Sequence, residues 1–268
     1  MRKLLVLPFL LVIAVFFAGC TAKNTATIYG ADKEEIVFGE AHNGSLGYMM
    51  GKTDSKGNLT LLVIDELFMP SDWAKIIESE AVSQNMETIK VGDAFYAKFI
   101  YIAGELYTGE SDGESISYYS NGIVFSAVYS DFIMAKNYYD AAVEFMQNKD
   151  SQMMAFGGGT DGKTKVSIAL NEAETECGVR MGEGKVGAGL SFFKRESGYW
   201  SDRNGLGLAQ NYDAIEEYLR TYGLNVDASL IPEENSGTWS VGDISTGATL
   251  TDFRNYILIA KQLYDKIK

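Results

Sequence analysis

Two rhythms of apolar residues run along the 268-residue chain. The first is a period of two, or a short apolar block, which marks a strand with one or both faces buried. It covers 59–67 and 94–103, and over 122–132 it sets Ile123, Phe125, Ala127 and Tyr129 against Val124, Ser126, Val128 and Ser130. Farther on, 165–170, 175–181 and 185–194 are divided by glycine-rich turns and predict a three-strand meander. The second rhythm has three- and four-residue spacing, which puts apolar side chains on one stripe of a helix. Phe253, Tyr256, Ile257, Ala260, Leu263, Tyr264 and Ile267 keep that spacing and predict an amphipathic helix. Two more helices are expected at Tyr139–Met146 and Tyr212–Leu219, each entered through an asparagine, Asn137 and Asn211. Ser71, just after Pro70, predicts a further helix start, because a serine hydroxyl can accept from an unpaired first-turn N–H. Strands and helices in separate runs give an α+β class: antiparallel sheets with helices packed to one side.

The two acidic helices begin alike, Tyr139-Asp140-Ala141 and Tyr212-Asp213-Ala214, and point to two related halves. Gly157-Gly158-Gly159-Thr160-Asp161-Gly162 is the densest glycine stretch and the natural break between them. The expected layout is a leader at 1–19, a polar tether at 20–29, one domain at 30–150 and a second at 160–268.

Composition narrows the class. With 46% hydrophobic residues, 12% aromatics and three prolines, the chain is neither a disordered acidic tail nor a collagen-like repeat. Arg2 and Lys3 followed by an apolar run, Leu4 to Ala18, read as an export signal. The run is shorter than the ~20 residues a helix needs to span a bilayer. Phe17-Ala18-Gly19-Cys20 resembles the lipobox of bacterial lipoproteins, with Phe17 where leucine is commoner. That resemblance implies that Cys20 is acylated and becomes the first mature residue, anchoring the protein on the membrane face toward the periplasm or exterior. Loss of Arg2 and Lys3 would take the formal charge from −13 to −15. Such acidity argues against a nucleic-acid partner, because phosphate neutralisation needs clustered Lys and Arg and no such cluster follows the first few residues. Cys177 would be the one remaining thiol, so no internal disulfide is expected, and it reads as a core residue.

The chemistry lies toward the carboxyl end. Asp243-Ile244-Ser245-Thr246-Gly247-Ala248-Thr249 resembles the flavinylation motif, Asp-x-x-Ser/Thr-Gly-Ala-Thr, of FMN-binding domains. Such domains occur in the C and G subunits of sodium-pumping NADH:quinone reductase and Rnf complexes, and in exported FMN lipoproteins. The resemblance implies that a flavin transferase joins the FMN phosphate to Thr249 as a phosphodiester. Asp243 would be the acidic motif position, Thr246 the Ser/Thr position, and Gly247 and Ala248 small neighbours that leave room at the attachment. Thr249 or Thr251 is also placed to cap the final helix, where a phosphate on Thr249 would meet unpaired N–H groups and the positive end of the helix dipole.

Asn204-Gly205-Leu206-Gly207 resembles the Pro-Gly-Leu-Gly loop that lies against the flavin in the complex subunits, which implies cofactor contacts at Gly205 and Gly207. The upstream Glu-Thr-Pro is replaced by Asp202-Arg203-Asn204. The resemblance covers 160–268 and leaves 30–150 as a diverged relative with no acceptor. Tyr199, Trp200 and Trp239 are candidates to stack on the isoalloxazine. His42, the only histidine, reads as a polar turn residue, Glu34-Glu35 and Glu233-Glu234 as solvated pairs, and no His/Cys cluster has metal spacing. The expectation is an electron carrier rather than a stand-alone enzyme, served by a flavin transferase and a membrane redox partner or quinone-linked donor. The alternative is a lipoprotein that binds a ligand or partner noncovalently. A hydrolase would need a nucleophile–base pair that the sequence does not offer.

Overall fold

A computed structural model of the chain describes residues 28–102, 104–120, 123–124, 132–147, 166–169, 192–195, 197, 200, 206–234 and 237–268. The expected leader, Cys20, Cys177, the glycine run at 157–162, the strand at 175–181, Tyr199 and Gly205 lie outside these residues. The fold is α+β, with antiparallel strands in several sheets.

Three strands open it as a meander: β1 (Glu34–Glu40), β2 (Leu46–Thr53) and β3 (Leu59–Leu67), with β3 ending where its apolar block ends. Tyr29 is already buried and its N–H donates to the Gly57 carbonyl, so the expected tether gives way to fold one residue early. Next come α1 (Pro70–Trp73), β4 (Lys75–Ile76), α2 (Glu78–Ser83), β5 (Thr88–Val91) and β6 (Ala94–Ala97), with strand order β4-β6-β5. Helix α1 starts a residue ahead of Ser71, with Pro70 in its first turn, where the missing N–H costs nothing. The Met69 N–H donates to the Asp72 carboxylate at 2.9 Å and closes that end.

The apolar block at 94–103 is two strands. The chain leaves β6 at Lys98 and joins a different sheet as β7 (Phe99–Ile102). That sheet continues with β8 (Glu105–Ser111), β9 (Ile116–Ser120) and β10 (Ile123–Val124). Phe132, expected in a strand, opens helix α3 (Phe132–Gln147). β11 (Val166–Ala169) then pairs with β7, Val166 opposite Ile102, so strands from both sides of the glycine run share one sheet. Helix α4 (Leu208–Tyr222), the short hairpin of β12 (Ser240–Val241) and β13 (Ile244–Ser245), and helix α5 (Phe253–Ile267) complete the chain. Asn137 and Asn211 sit inside α3 and α4 rather than at their entrances, because the apolar stripe of each helix begins earlier.

The β1–β3 sheet divides two cores by its period of two. Phe38, Leu46, Tyr48 and Leu67 face a core containing Trp73, Tyr107, Tyr118, Tyr138 and Phe192. Val37, Met49, Leu62 and Ile64 face the other way, onto Tyr212, Ile215, Leu219, Phe253, Ile257 and Leu263 of α4 and α5. Gly39 lets α5 lie close to the sheet: a Cβ there would stand 2.7 Å from Ile259 Cγ1. The sheet supplied by residues 34–67 is thus the floor on which the last two helices rest, and the described residues do not part at 157–162.

Candidate functional site

Trp239 organises the segment that carries the candidate acceptor. Its N–H donates to the Ala248 carbonyl at 2.7 Å, and its carbonyl accepts from the Thr246 N–H and the Thr246 hydroxyl, each at 2.8 Å. Its indole Nε1–H donates to the Leu250 carbonyl at 2.7 Å, and its ring stacks on Phe253 with centroids 5.8 Å apart. Residues 246–250 are therefore curled around one tryptophan. Thr246 is buried, held by Trp239 while its hydroxyl also accepts from the Ala248 N–H at 3.2 Å. Asp243 is exposed at the β12–β13 turn, beside Gly242 at φ +59.

The two small motif positions have packing reasons of their own. Gly247 takes φ +77, a left-handed conformation that a Cβ disfavours. Ala248 has no exposed surface and packs into the second core.

Thr249 faces α4. Its N–H donates to Asn211 Oδ1 at 2.7 Å and its hydroxyl donates to the same oxygen at 3.2 Å. Asn211 is fully buried, and its Nδ2 donates to the carbonyls of Gly207 at 3.0 Å and Leu206 at 3.4 Å. One side chain thereby ties the candidate acceptor to the Gly207 loop, two stretches that the sequence singled out separately. Gly207 is the N-cap of α4, and the Leu208 N–H donates to the Trp200 carbonyl at 3.1 Å.

Neither Thr249 nor Thr251 caps α5. The helix begins at Phe253, and its N-cap is Asp252 at φ +61, whose carboxylate lies 3.2 Å from His42 Nδ1. The Leu250 carbonyl is bound by the Trp239 indole, so the chain turns into the helix only after Thr251, which is exposed. His42 belongs to a 3-10 turn at His42–Gly44, in keeping with its reading as a turn residue.

A second polar centre went unread in the sequence. Phe193 bridges Leu67, the Phe68 N–H donates to the Phe192 carbonyl, and the Lys194 N–H donates to the Glu66 carbonyl, so 192–194 runs along the end of β3. This brings Lys194 Nζ to 2.8 Å from Glu66, both buried, and to 2.6 Å from the Ser45 hydroxyl. The Tyr256 hydroxyl donates to the other Glu66 oxygen. Arg195 ties the same edge to α4 through Asp213 at 2.6 Å and through Glu216. Burial raises the Glu216 carboxyl, and the Arg195 guanidinium partly offsets it. Asp65, next to Glu66 but on the opposite sheet face, is pushed up to about 7 by burial, against the N–H bonds it accepts from Arg195 and Glu66. The Tyr212 hydroxyl is buried among these groups with no hydrogen-bond partner among the described residues.

The signal for Asn211 was in the sequence. It falls three residues after Leu208 and four before Ile215, on the apolar stripe, where a polar side chain needs a buried partner. Lys194 and Glu66, 128 residues apart, carry no comparable local mark.

Among the described residues no group of three or more His, Cys, Asp or Glu could hold a metal ion, and no helix is long and apolar enough to cross a membrane. Compared with protein-family models, curated proteins and solved structures, the chain finds no match.

Proposed function

We propose that the chain is an exported, lipid-anchored electron carrier with FMN joined through its phosphate to Thr249. The run Asp243–Thr249 carries this reading, since it places a hydroxyl after a left-handed glycine and a small residue at the spacing of the flavinylation motif. Thr249 is half-buried, and its hydroxyl is the oxygen that the transfer would esterify. Esterification removes the proton that the hydroxyl shares with Asn211 but leaves the Thr249 N–H bond to the same oxygen, so the segment keeps an anchor after modification. The residues present fit the attachment. Bound flavin would supply one- and two-electron transfer; the protein would hold it and set its surroundings. Asn211 would keep its bond to the Thr249 N–H after attachment, and Trp239, partly exposed, would flank the segment. A flavin transferase would mature the protein, and a membrane redox partner or quinone-linked donor would exchange electrons with it. Acylated Cys20 would keep it at the membrane.

The decisive experiment is the intact mass and in-gel fluorescence of the protein from cells containing a flavin transferase. Thr249→Ala is expected to lose all covalent flavin and to fold, because the substitution removes one hydroxyl bond, about 1 kcal/mol. Flavin surviving denaturing electrophoresis in that variant would rule out Thr249 as the acceptor.

A second reading has an observation behind it. Gly247 and Ala248 have conformational and packing reasons to be small, and the Thr249 hydroxyl is directed inward at Asn211. On that reading the segment is a structural turn in a lipoprotein that binds its ligand or partner noncovalently. Unmodified protein after coexpression with an active transferase would select it.

A further inference from the structure

We propose that Thr249 is modified only in an opened form of segment 246–250, and that Asn211 and Trp239 form the latch that holds this segment shut. The inference rests on the flavinylation reading above. Phosphodiester formation in water needs an activated phosphorus, which a flavin adenine dinucleotide carries in its pyrophosphate. The Thr249 Oγ–P bond forms and the P–O–P bond breaks. Adenosine monophosphate leaves with the electron pair, and the hydroxyl proton passes to a base on the transferase or to water. Nothing is oxidised or reduced.

For this step the oxygen must come within about 3–3.5 Å of the phosphorus, in line with the leaving oxygen. In the closed segment the hydroxyl proton is held by an amide oxygen and not by a base that could take it. That oxygen belongs to Asn211, which has no exposed surface. Ala248 and Leu250, on either side of Thr249, are also fully buried, and Thr246 is 6% exposed. A transferase that must cover a run of motif residues would find alternate ones turned into the core. The restraints that keep them there are local: Thr249 N–H and hydroxyl to Asn211, the Trp239 N–H to Ala248, the Trp239 indole to Leu250, the Thr246 N–H and hydroxyl to the Trp239 carbonyl, and the burial of Ala248 and Leu250. Breaking them frees five residues without disturbing the β1–β3 sheet. Local openings of this size are ordinary excursions of a folded protein.

After modification the ester oxygen has no hydrogen to donate, while the Thr249 N–H still does. The latch re-forms through the backbone with one bond fewer.

The test compares two rates on the full chain purified without flavin. One is covalent flavin uptake, followed by intact mass with flavin adenine dinucleotide, Mg2+ and saturating flavin transferase. The other is amide hydrogen exchange at 246–250. Asn211→Ala removes the buried acceptor, and Trp239→Phe removes only the indole donor while keeping a ring against Phe253. Each variant is expected to raise exchange and flavin uptake together, by about fivefold for one or two neutral hydrogen bonds. If Asn211→Ala fails to fold, Trp239→Phe carries the comparison. Faster exchange with unchanged or slower flavin uptake would overturn the proposal and make Asn211 a positioning residue for the closed form. Unchanged exchange in both variants would overturn the latch. If no form takes up flavin, wild type included, the functional reading itself falls and the proposal with it, whatever the exchange shows.

Discussion

Asp65 shows how a single side chain can couple the fold to pH. It is 4% exposed, and burial pushes its carboxyl up from 3.8 to about 7 although it accepts N–H bonds from Glu66 and Arg195. The sign follows from proton counting. The folded chain holds a proton on Asp65 between about pH 4 and pH 7 that the unfolded chain has released. Stability from this group is therefore fully present below about pH 4 and is lost as pH rises through about 7. Asp65→Asn keeps an oxygen for both N–H donors and removes the charge. It is expected to flatten the pH dependence in that window and to stabilise the protein at pH 8 by roughly 2–4 kcal/mol. Urea unfolding of wild type and variant at pH 5 and pH 8 checks it, and parallel curves for the two proteins would contradict the assignment. The neighbouring Glu66 is bound at both oxygens, by Lys194 at 2.8 Å and by the Tyr256 hydroxyl.

At the scale of elements, α5 lies close to the first sheet where side chains are missing. Gly39→Ala would put a Cβ 2.7 Å from Ile259 Cγ1, a β-branched side chain with little freedom on α5. The substitution should cost about 1–3 kcal/mol, and Ile259→Ala about 2–5 kcal/mol through the cavity it leaves. In the double variant the new methyl occupies part of that cavity, so the combined cost should fall short of the sum by at least 0.5 kcal/mol, about the smallest coupling that contacting residues show. Thermal denaturation of the four proteins measures this, and strict additivity would place α5 elsewhere on the sheet. The same elements mark the limit of legibility. β3 was readable as a short, mostly apolar block bounded by turn residues, and α5 because burial repeats along it about every three and a half residues. The break at Lys98 was not, since one apolar block serves equally for one strand or for two in different sheets. The start of α5 was misplaced onto Thr249 or Thr251 because threonine is a good N-cap in isolation. In the fold Asn211, 38 residues away in sequence, takes the Thr249 hydroxyl first.

For the whole molecule, the shared core makes a strong statement about fragments. Length, the glycine run and the two similar acidic helices suggested two domains of about 110 residues, each able to close on itself. The described residues are arranged otherwise. Helices α4 and α5 bury their apolar faces against Val37, Met49, Leu62 and Ile64, and β11 completes a sheet begun by β7 to β10. Separated from 34–67, the last two helices would expose that stripe to water, and the segment that carries Thr249 would lose its floor. The expected result is that residues 160–268 alone give a poorly dispersed NMR spectrum and bind a hydrophobic dye, while the full chain gives a dispersed one. Adding 28–150 in trans should restore dispersion in part, because the missing surface is then supplied noncovalently at the cost of association entropy. Covalent flavin uptake gives a second readout on the same samples. If the 160–268 fragment alone yields a dispersed spectrum and accepts flavin at the rate of the full chain, the sheet of residues 34–67 is not the floor of the candidate acceptor segment and the shared core is wrong.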